Sequence, residues 1–194
     1  MHTLTQLTLS NYADLEGLMT SRNRFLAVAG DNQDSFRKIG LTTAYDLLNV
    51  GPDVGRIFGA YVDDALVGAA FTSVSSTHPC FYLNKAYTSP GAPADVLPVL
   101  LEHLIWVYSE LGYKRFYTLY RKQDLETYHR LWRTASVLKD YVAYTDYESA
   151  PNERPKHSDF WELLYGRSLY PEEMMVRAFV KKDDTMYWHG GQQQ

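Results

Sequence analysis

The sequence predicts an α/β (α+β) fold: a mixed, mostly antiparallel sheet of about six or seven strands, helices on both faces, and one central parallel β-α-β crossover. Three observations predict it. Arg56–Val62 and Leu66–Val74 are two apolar runs joined at Asp63–Asp64, the pattern of a hairpin. Phe81–Tyr120 runs strand, Gly/Pro loop, long apolar helix, strand, a parallel unit whose crossover should be right-handed. The remaining segments carry short helical and alternating patterns, so the element order reads β, α, α, β, β, β, α, β, α, β, β.

Taken in order, Thr3–Leu9 alternates, with Leu4, Leu7 and Leu9 apolar, and reads as the first strand. Ser10 can cap a helix whose stripe is Leu15, Leu18 and Met19. Ala27–Asp34 reads as a loop and Phe36–Val50 as helical, interrupted at Gly40. In the hairpin, Gly59, Gly68, Ala69 and Ala70 are small for strand positions and leave room for a helix or a ligand chain to come close. Ser75–Pro79 is a loop. Phe81–Thr88 is an aromatic-rich strand, Ser89–Ala94 a loop, and Asp95 the N-cap of a helix with Pro98 in its first turn. Leu97, Leu100, Leu101, Leu104, Tyr108 and Leu111 share one face of that helix, and Gly112 ends it. Phe116–Tyr120 is the strand that completes the unit. Beyond it, Asp124–Arg133 reads as a helix, Tyr141–Tyr147 as a strand, Ser149–Ser158 as a loop, Phe160–Leu164 as one helical turn and Met174–Lys181 as the last strand. Residues 1–188 then form a single domain, and 189–194 a disordered tail.

Composition narrows the function classes. The 194 residues carry a formal net charge of −4, which disfavours a whole-surface nucleic-acid binder. No apolar run reaches the ~20 residues of a membrane span, and the N-terminus has no signal-peptide pattern. A single cysteine, Cys80, excludes an internal disulfide and fits a reducing, cytoplasmic setting; it reads as a small apolar residue at a strand start. His78, His103, His129 and His157 lack close ligand spacing, so no metal is expected. There is no Walker loop, GxGxxG or GxSxG. Arg115, Arg121, Lys122, Arg130 and Arg133 form a basic run that reads as a solvated face, or as a phosphate or RNA contact. Tyr141, Tyr144 and Tyr147 read as strand packing rather than a base-stacking set. Paired across a two-fold axis, the aromatic closing strands could make a homodimer.

The hairpin GRIFGAYVDDALVGAAF, the strand and helix FYLNKAYTSPGAPADVLPVLLEHLIWVYSELGY and the strand KRFYTLY together resemble the GNAT superfamily of acyl-CoA-dependent N-acyltransferases. The likeness is close over the middle third of the chain and extends to the ends only in element order. It implies an acetyl-CoA (coenzyme A) cofactor and transfer of an acetyl group to an amine. Its pantetheine arm would add to the strand at Lys85, Ala86, Tyr87 and Thr88. Its pyrophosphate would meet backbone N–H groups of Gly91, Ala92, Ala94 and Val96 at the helix start, where the dipole favours an anion. The loop SPGAPAD departs from the family pattern, with one glycine, a donor removed at Pro93 and a negative charge at Asp95.

Acyl transfer needs an amine to lose a proton, a carbonyl to be polarised and a leaving thiolate to be protonated. By the resemblance, Tyr128 in DLETYHRLW would serve the thiolate; read from the residues alone, it packs on an amphipathic helix. The neighbouring His129 points elsewhere. No Asp or Glu lies on the central strand, whose polar residues are Asn84 and Lys85; Asp146, Glu148 and Glu162 are remote candidates for a base. Two functions stay open: an N-acetyltransferase, or a non-catalytic scaffold with an eroded coenzyme A site, as in GNAT-like proteins of some phages. The acceptor, a small-molecule or protein amine, is not legible.

Overall fold

The computed structural model describes residues 1–20, 45, 48–49, 51–74, 79–121, 139–143, 147–148 and 174–183. The elements are β1 (His2–Gln6), a 3-10 turn (Leu9–Asn11), α1 (Tyr12–Thr20), β2 (Gly55–Val62), β3 (Ala65–Val74), β4 (Cys80–Thr88), α2 (Val96–Glu110), β5 (Arg115–Arg121), β6 (Tyr141–Ala143), β7 (Tyr147–Glu148) and β8 (Met174–Lys181). They form one sheet in the order β1-β2-β3-β4-β5-β8-β6, with the two-residue β7 also on β8. Every pairing is antiparallel except β4–β5. Seven strands along the path and one small extra strand match the expected mixed sheet and its single parallel crossover.

The hairpin turns where Asp63 and Asp64 both take positive φ, 48° and 62°. That is the geometry of a two-residue turn whose twist suits the strands, and Asp tolerates it better than a β-branched residue would. At the other end of the crossover, Gly112 (φ 87°) follows α2 as the predicted helix stop.

Two details correct the reading of the N-terminus. The first strand ends at Gln6, because Thr8 begins a turn: its N–H donates to Asn11 Oδ1 at 3.0 Å and its hydroxyl bonds Ser10 Oγ at 2.8 Å. Leu9 is consequently exposed rather than core, and Thr8, not Ser10, opens the helical segment. The strand expected over 141–147 appears as β6 and β7, separately paired with β8. Within 36–50, Tyr45, Leu48 and Asn49 are helical. The expected loop at 27–34 and the helices over 124–133 and 160–164 lie outside the described residues.

The core has two layers, one on each face of the sheet. Phe58, Ala60, Ala70, Phe81, Leu83 and Ala86 pack beneath Val96, Leu97, Leu100, Leu101, Leu104 and Tyr108 of α2. On the other face Ile57, Ala69, Phe71 and Tyr87 meet Leu7, Leu15 and Leu18 around α1. The alternation Ile57/Phe58 and Ala69/Ala70 assigns neighbouring residues to opposite layers, as the strand period of two demands. A row of aromatics crosses three strands on the α2 side: Phe81 stacks on Phe116 at 5.1 Å and Phe116 on Phe179 at 4.6 Å. Cross-strand pairs of this kind contribute roughly 0.2–1 kcal/mol each.

Candidate functional site

The parallel pair is incomplete. β4 and β5 pair from Cys80–Arg115 through Leu83–Thr118 and no further, although β4 runs on to Thr88 and β5 to Arg121. Each strand keeps its other neighbour past that point, β4 on β3 to Thr88 and β5 on β8 to Arg121. The two strands therefore part beyond Leu83 and Thr118. Side chains account for the closed half, where Phe81 stacks on Phe116, and Tyr82 on Tyr117 at 5.3 Å. A bulge accounts for the parting. Phe71 opposes Lys85 while the next residue, Thr72, opposes Leu83, which leaves Asn84 as an extra residue in β4. A bulge bends its strand and steepens its twist. It also reverses the side-chain phase: Phe81 and Leu83 face α2, and after Asn84 that face passes to Ala86, while Tyr87 enters the α1 layer.

Among the described residues the open half of β4 has one edge with no strand beside it. The Ser89 N–H donates to the Val67 carbonyl at 2.8 Å. In an antiparallel ladder alternate residues turn their N–H and C=O groups to opposite sides. Ser89, Tyr87 and Lys85 thus bond towards β3, and Ala86 and Thr88 turn their backbone groups towards the gap. An extended chain bearing amides can add there as another strand.

Beyond the gap lies the start of α2. The Ala92 N–H bonds Ser89 O at 3.1 Å and the Val96 N–H bonds Pro93 O at 3.1 Å, so these two donors are spent on turns. The N–H groups of Gly91, Ala94 and Leu97 take no part in those turns, and Pro98 brings none. Gly91, at φ 78°, supplies a conformation that residues with a Cβ rarely adopt. The helix start is seated tightly on β3: a Cβ on Gly68 would lie 2.8 Å from Val96 Cγ1. The small residue expected to admit a close neighbour does admit one, and the neighbour is this helix.

Asp95 stands at the N-cap position yet does not cap the helix. Its backbone is at φ −87°, ψ −8° and its carboxylate makes no cap hydrogen bond. Instead Asp95 Oδ2 lies 2.9 Å from His2 Nε2, on the first residue of β1. That hydrogen bond is the main reason the Asp95 carboxyl is held below its ordinary range.

Ala86 and Thr88 thus turn their backbone to the gap, and Gly91 and Ala94 lie in the loop that leads from β4 to α2, which the Ala92 and Val96 turns shape. Lys85 and Tyr87 direct their backbone to β3, and the Tyr87 ring is buried against Phe71 at 5.6 Å. Arg115 sits opposite Cys80 at the closed end of the pair, away from the gap, while Arg121 ends β5 at the open end. Glu148 lies in β7 opposite Met175. Tyr128, His129, Arg130, Arg133, Asp146 and Glu162 lie outside the described residues. Sequence reasoning missed Asn84 as a bulge and His2 as the partner of Asp95. The first had a signal, the slip in phase from Leu83 to Ala86; the second had none.

The chain is similar to a probable acetyltransferase from Staphylococcus epidermidis, with a TM-score of 0.60 and 12% identity over 93% of this chain and 98% of that one. It is similar to the PaiA N-acetyltransferase from Thermoplasma acidophilum in complex with coenzyme A, with a TM-score of 0.58 and 8% identity over 91% and 98%. An acetyltransferase of the GNAT family from Streptococcus pneumoniae matches with a TM-score of 0.55 and 10% identity over 93% and 99%. No family model matches the chain, and no curated protein does. The chain has the GNAT fold. Among the described residues no helix is long and apolar enough to cross a membrane.

Proposed function

We propose that this chain is an N-acetyltransferase that uses acetyl-CoA and an amine acceptor. The observation that carries the reading is the parting of β4 from β5 beyond Leu83–Thr118, open beside the first turn of α2. Past that point the described strands give the gap-side backbone of Ala86 and Thr88 no ladder partner, which leaves a strand position that a chain bearing amides would satisfy. The residues present fit the cofactor. Ala86 and Thr88 would hold the amides of its arm by strand addition, and the amides of Gly91, Ala94 and Leu97 would meet its phosphates.

Coenzyme A supplies an activated acyl thioester. In the transfer the amine nitrogen bonds the acyl carbon, the carbon–sulfur bond breaks, one proton leaves the amine and one reaches the departing sulfur. Tyr128 is assigned to that last proton. The edge at Ala86 and Thr88 would hold the arm and so orient the thioester for the amine, which would lower the orientational cost of bringing two reactants together.

Calorimetric titration with acetyl-CoA tests the binding half, with saturable one-to-one binding as the expected result. No heat and no thermal shift at millimolar ligand would leave the chain a scaffold. Release of free thiol with a panel of amines tests the chemistry. Tyr128→Phe is expected to slow it about 10²-fold, the lower range for a positioned proton donor, without loss of coenzyme A affinity. Unchanged turnover would remove Tyr128 from the assignment.

A further inference from the structure

Asp95 presents a problem that the structure resolves in an unusual way. A carboxylate at the N-cap position normally turns onto the amides of the first turn and takes the helix dipole for itself. Such a cap would occupy the donors at the start of α2 and set a negative charge where the phosphates of coenzyme A would approach. Pro98 removes one of the amides that a capping Asp95 would use, leaving Leu97 as the remaining donor. The Asp95 carboxylate is instead drawn off to the His2 ring, 93 residues away in sequence and 2.9 Å away in space. The His2 side chain is 20% exposed, held by β1 beside the helix start, while that of Asp95 is 63% exposed and is not fixed by packing of its own. What chiefly decides where this carboxylate goes, among the described residues, is therefore its hydrogen bond to His2.

We propose that His2 is a positioning residue for coenzyme A binding: it holds the Asp95 carboxylate away from the amides of α2, so that those amides remain available to the phosphates. The inference rests on the acetyl-CoA reading above and adds to it a residue from the far edge of the sheet. His2 does not touch the ligand; it acts through Asp95.

The test is a double-mutant cycle read as coenzyme A affinity by calorimetry at one pH and ionic strength, on the full chain. His2→Ala is expected to weaken binding about 3- to 10-fold, the size of a charge effect at a helix terminus. His2→Phe, which keeps a ring but has no donor, is expected to do the same and covers the case in which His2→Ala does not fold. His2→Gln, which keeps an N–H donor, is expected to bind within about twofold of the parent, as retention of the hydrogen bond requires. Asp95→Ala is expected to bind at least as tightly as the parent. In its background His2→Ala should have no further effect, because no carboxylate is left to restrain. A purely structural His2 would lower the melting temperature without being rescued by Asp95→Ala. The inference is overturned if the parent binds coenzyme A and His2→Ala binds equally well, or if Asp95→Ala fails to restore the loss. If the parent itself does not bind coenzyme A, the acetyltransferase reading falls, and this inference with it.

Discussion

Thr72 is fully buried in β3 and its hydroxyl is committed twice. It donates to the Arg56 carbonyl at 2.9 Å, so at its 2.6 Å contact with the Tyr108 hydroxyl it must accept. Tyr108 in turn stacks on Phe81 at 4.0 Å, and burial pushes its phenol well above the ordinary tyrosine range. The two ends of this chain are not equivalent. Tyr108→Phe removes one donor and leaves the Thr72–Arg56 bond intact, a cost of about 1 kcal/mol. Thr72→Val removes both bonds and strands the Tyr108 donor in the core, a cost of about 2 kcal/mol, within the 1–3 range of an unsatisfied buried group. Urea unfolding at constant m-value measures both, and an equal or reversed order would refute the donor assignment. Little of this was legible beforehand. The helical spacing put Tyr108 on the apolar face of α2, correctly, but its hydroxyl partner is 36 residues away and spacing says nothing about it. Asp95 failed in the same way: the local rule for a helix start named it a cap, and a residue on another strand took its carboxylate.

Among the elements, α1 is tied to β2 by polar contacts as well as by its apolar stripe. Tyr61 of β2 donates to Asp14 Oδ2 at 2.8 Å and accepts from Asn11 Nδ2 at 3.1 Å. Burial, and after it the Asp14 bond, raises the Tyr61 phenol from 10.0 to about 12. A folded-state value above the ordinary one means that the folded chain keeps this proton longer than the unfolded chain. The contribution is therefore complete below pH 10.0 and is lost as pH rises towards about 12. Tyr61→Phe is expected to make the alkaline fall in stability shallower by up to one proton, measured as unfolding free energy against pH. A slope equal to the parent's would show that Tyr61 is not a linked group. Tyr12, Tyr108 and Tyr141 are also raised, so the fall should persist in reduced form. Elements were more legible than contacts. The last strand agrees with its expected bounds, and β2, β3, β4, α2 and β5 agree to within a residue or two, because each has a buried face that imposes its period. The bulge was harder, since Asn84 interrupts an otherwise aromatic strand by one residue, and only the later phase of Ala86 and Tyr87 betrays it. Nor could the period of β8 tell that it would enter between β5 and β6, which depends on which edge is left open.

For the whole molecule, one sheet carries both a zipped and an open part, and the division runs across a single pair of strands. Below Leu83–Thr118, aromatic rows lock β4 to β5 and on to β8. Above it, among the described strands, β4 pairs with β3 alone. This makes a prediction that separates a cofactor-binding gap from an inert scaffold without reference to any acceptor. In the free protein, the amides of Lys85 and Tyr87, bonded across to β3, should exchange with solvent slowly, and those of Ala86 and Thr88 faster, since exchange reports local opening and hydrogen bonding. On addition of coenzyme A the Ala86 and Thr88 amides should gain protection beyond the gain that Phe81 and Leu83 in the zipped half share through global stabilisation. A ligand bound elsewhere would raise protection throughout the sheet by global stabilisation alone and leave the alternation along β4 in place. Alternation in the free protein that coenzyme A removes would mean that the gap is a strand position left open for an occupant. Equal protection of all four amides in the free protein would mean that β4 and β5 close on each other in solution, and transfer chemistry at this gap would then have no place to occur.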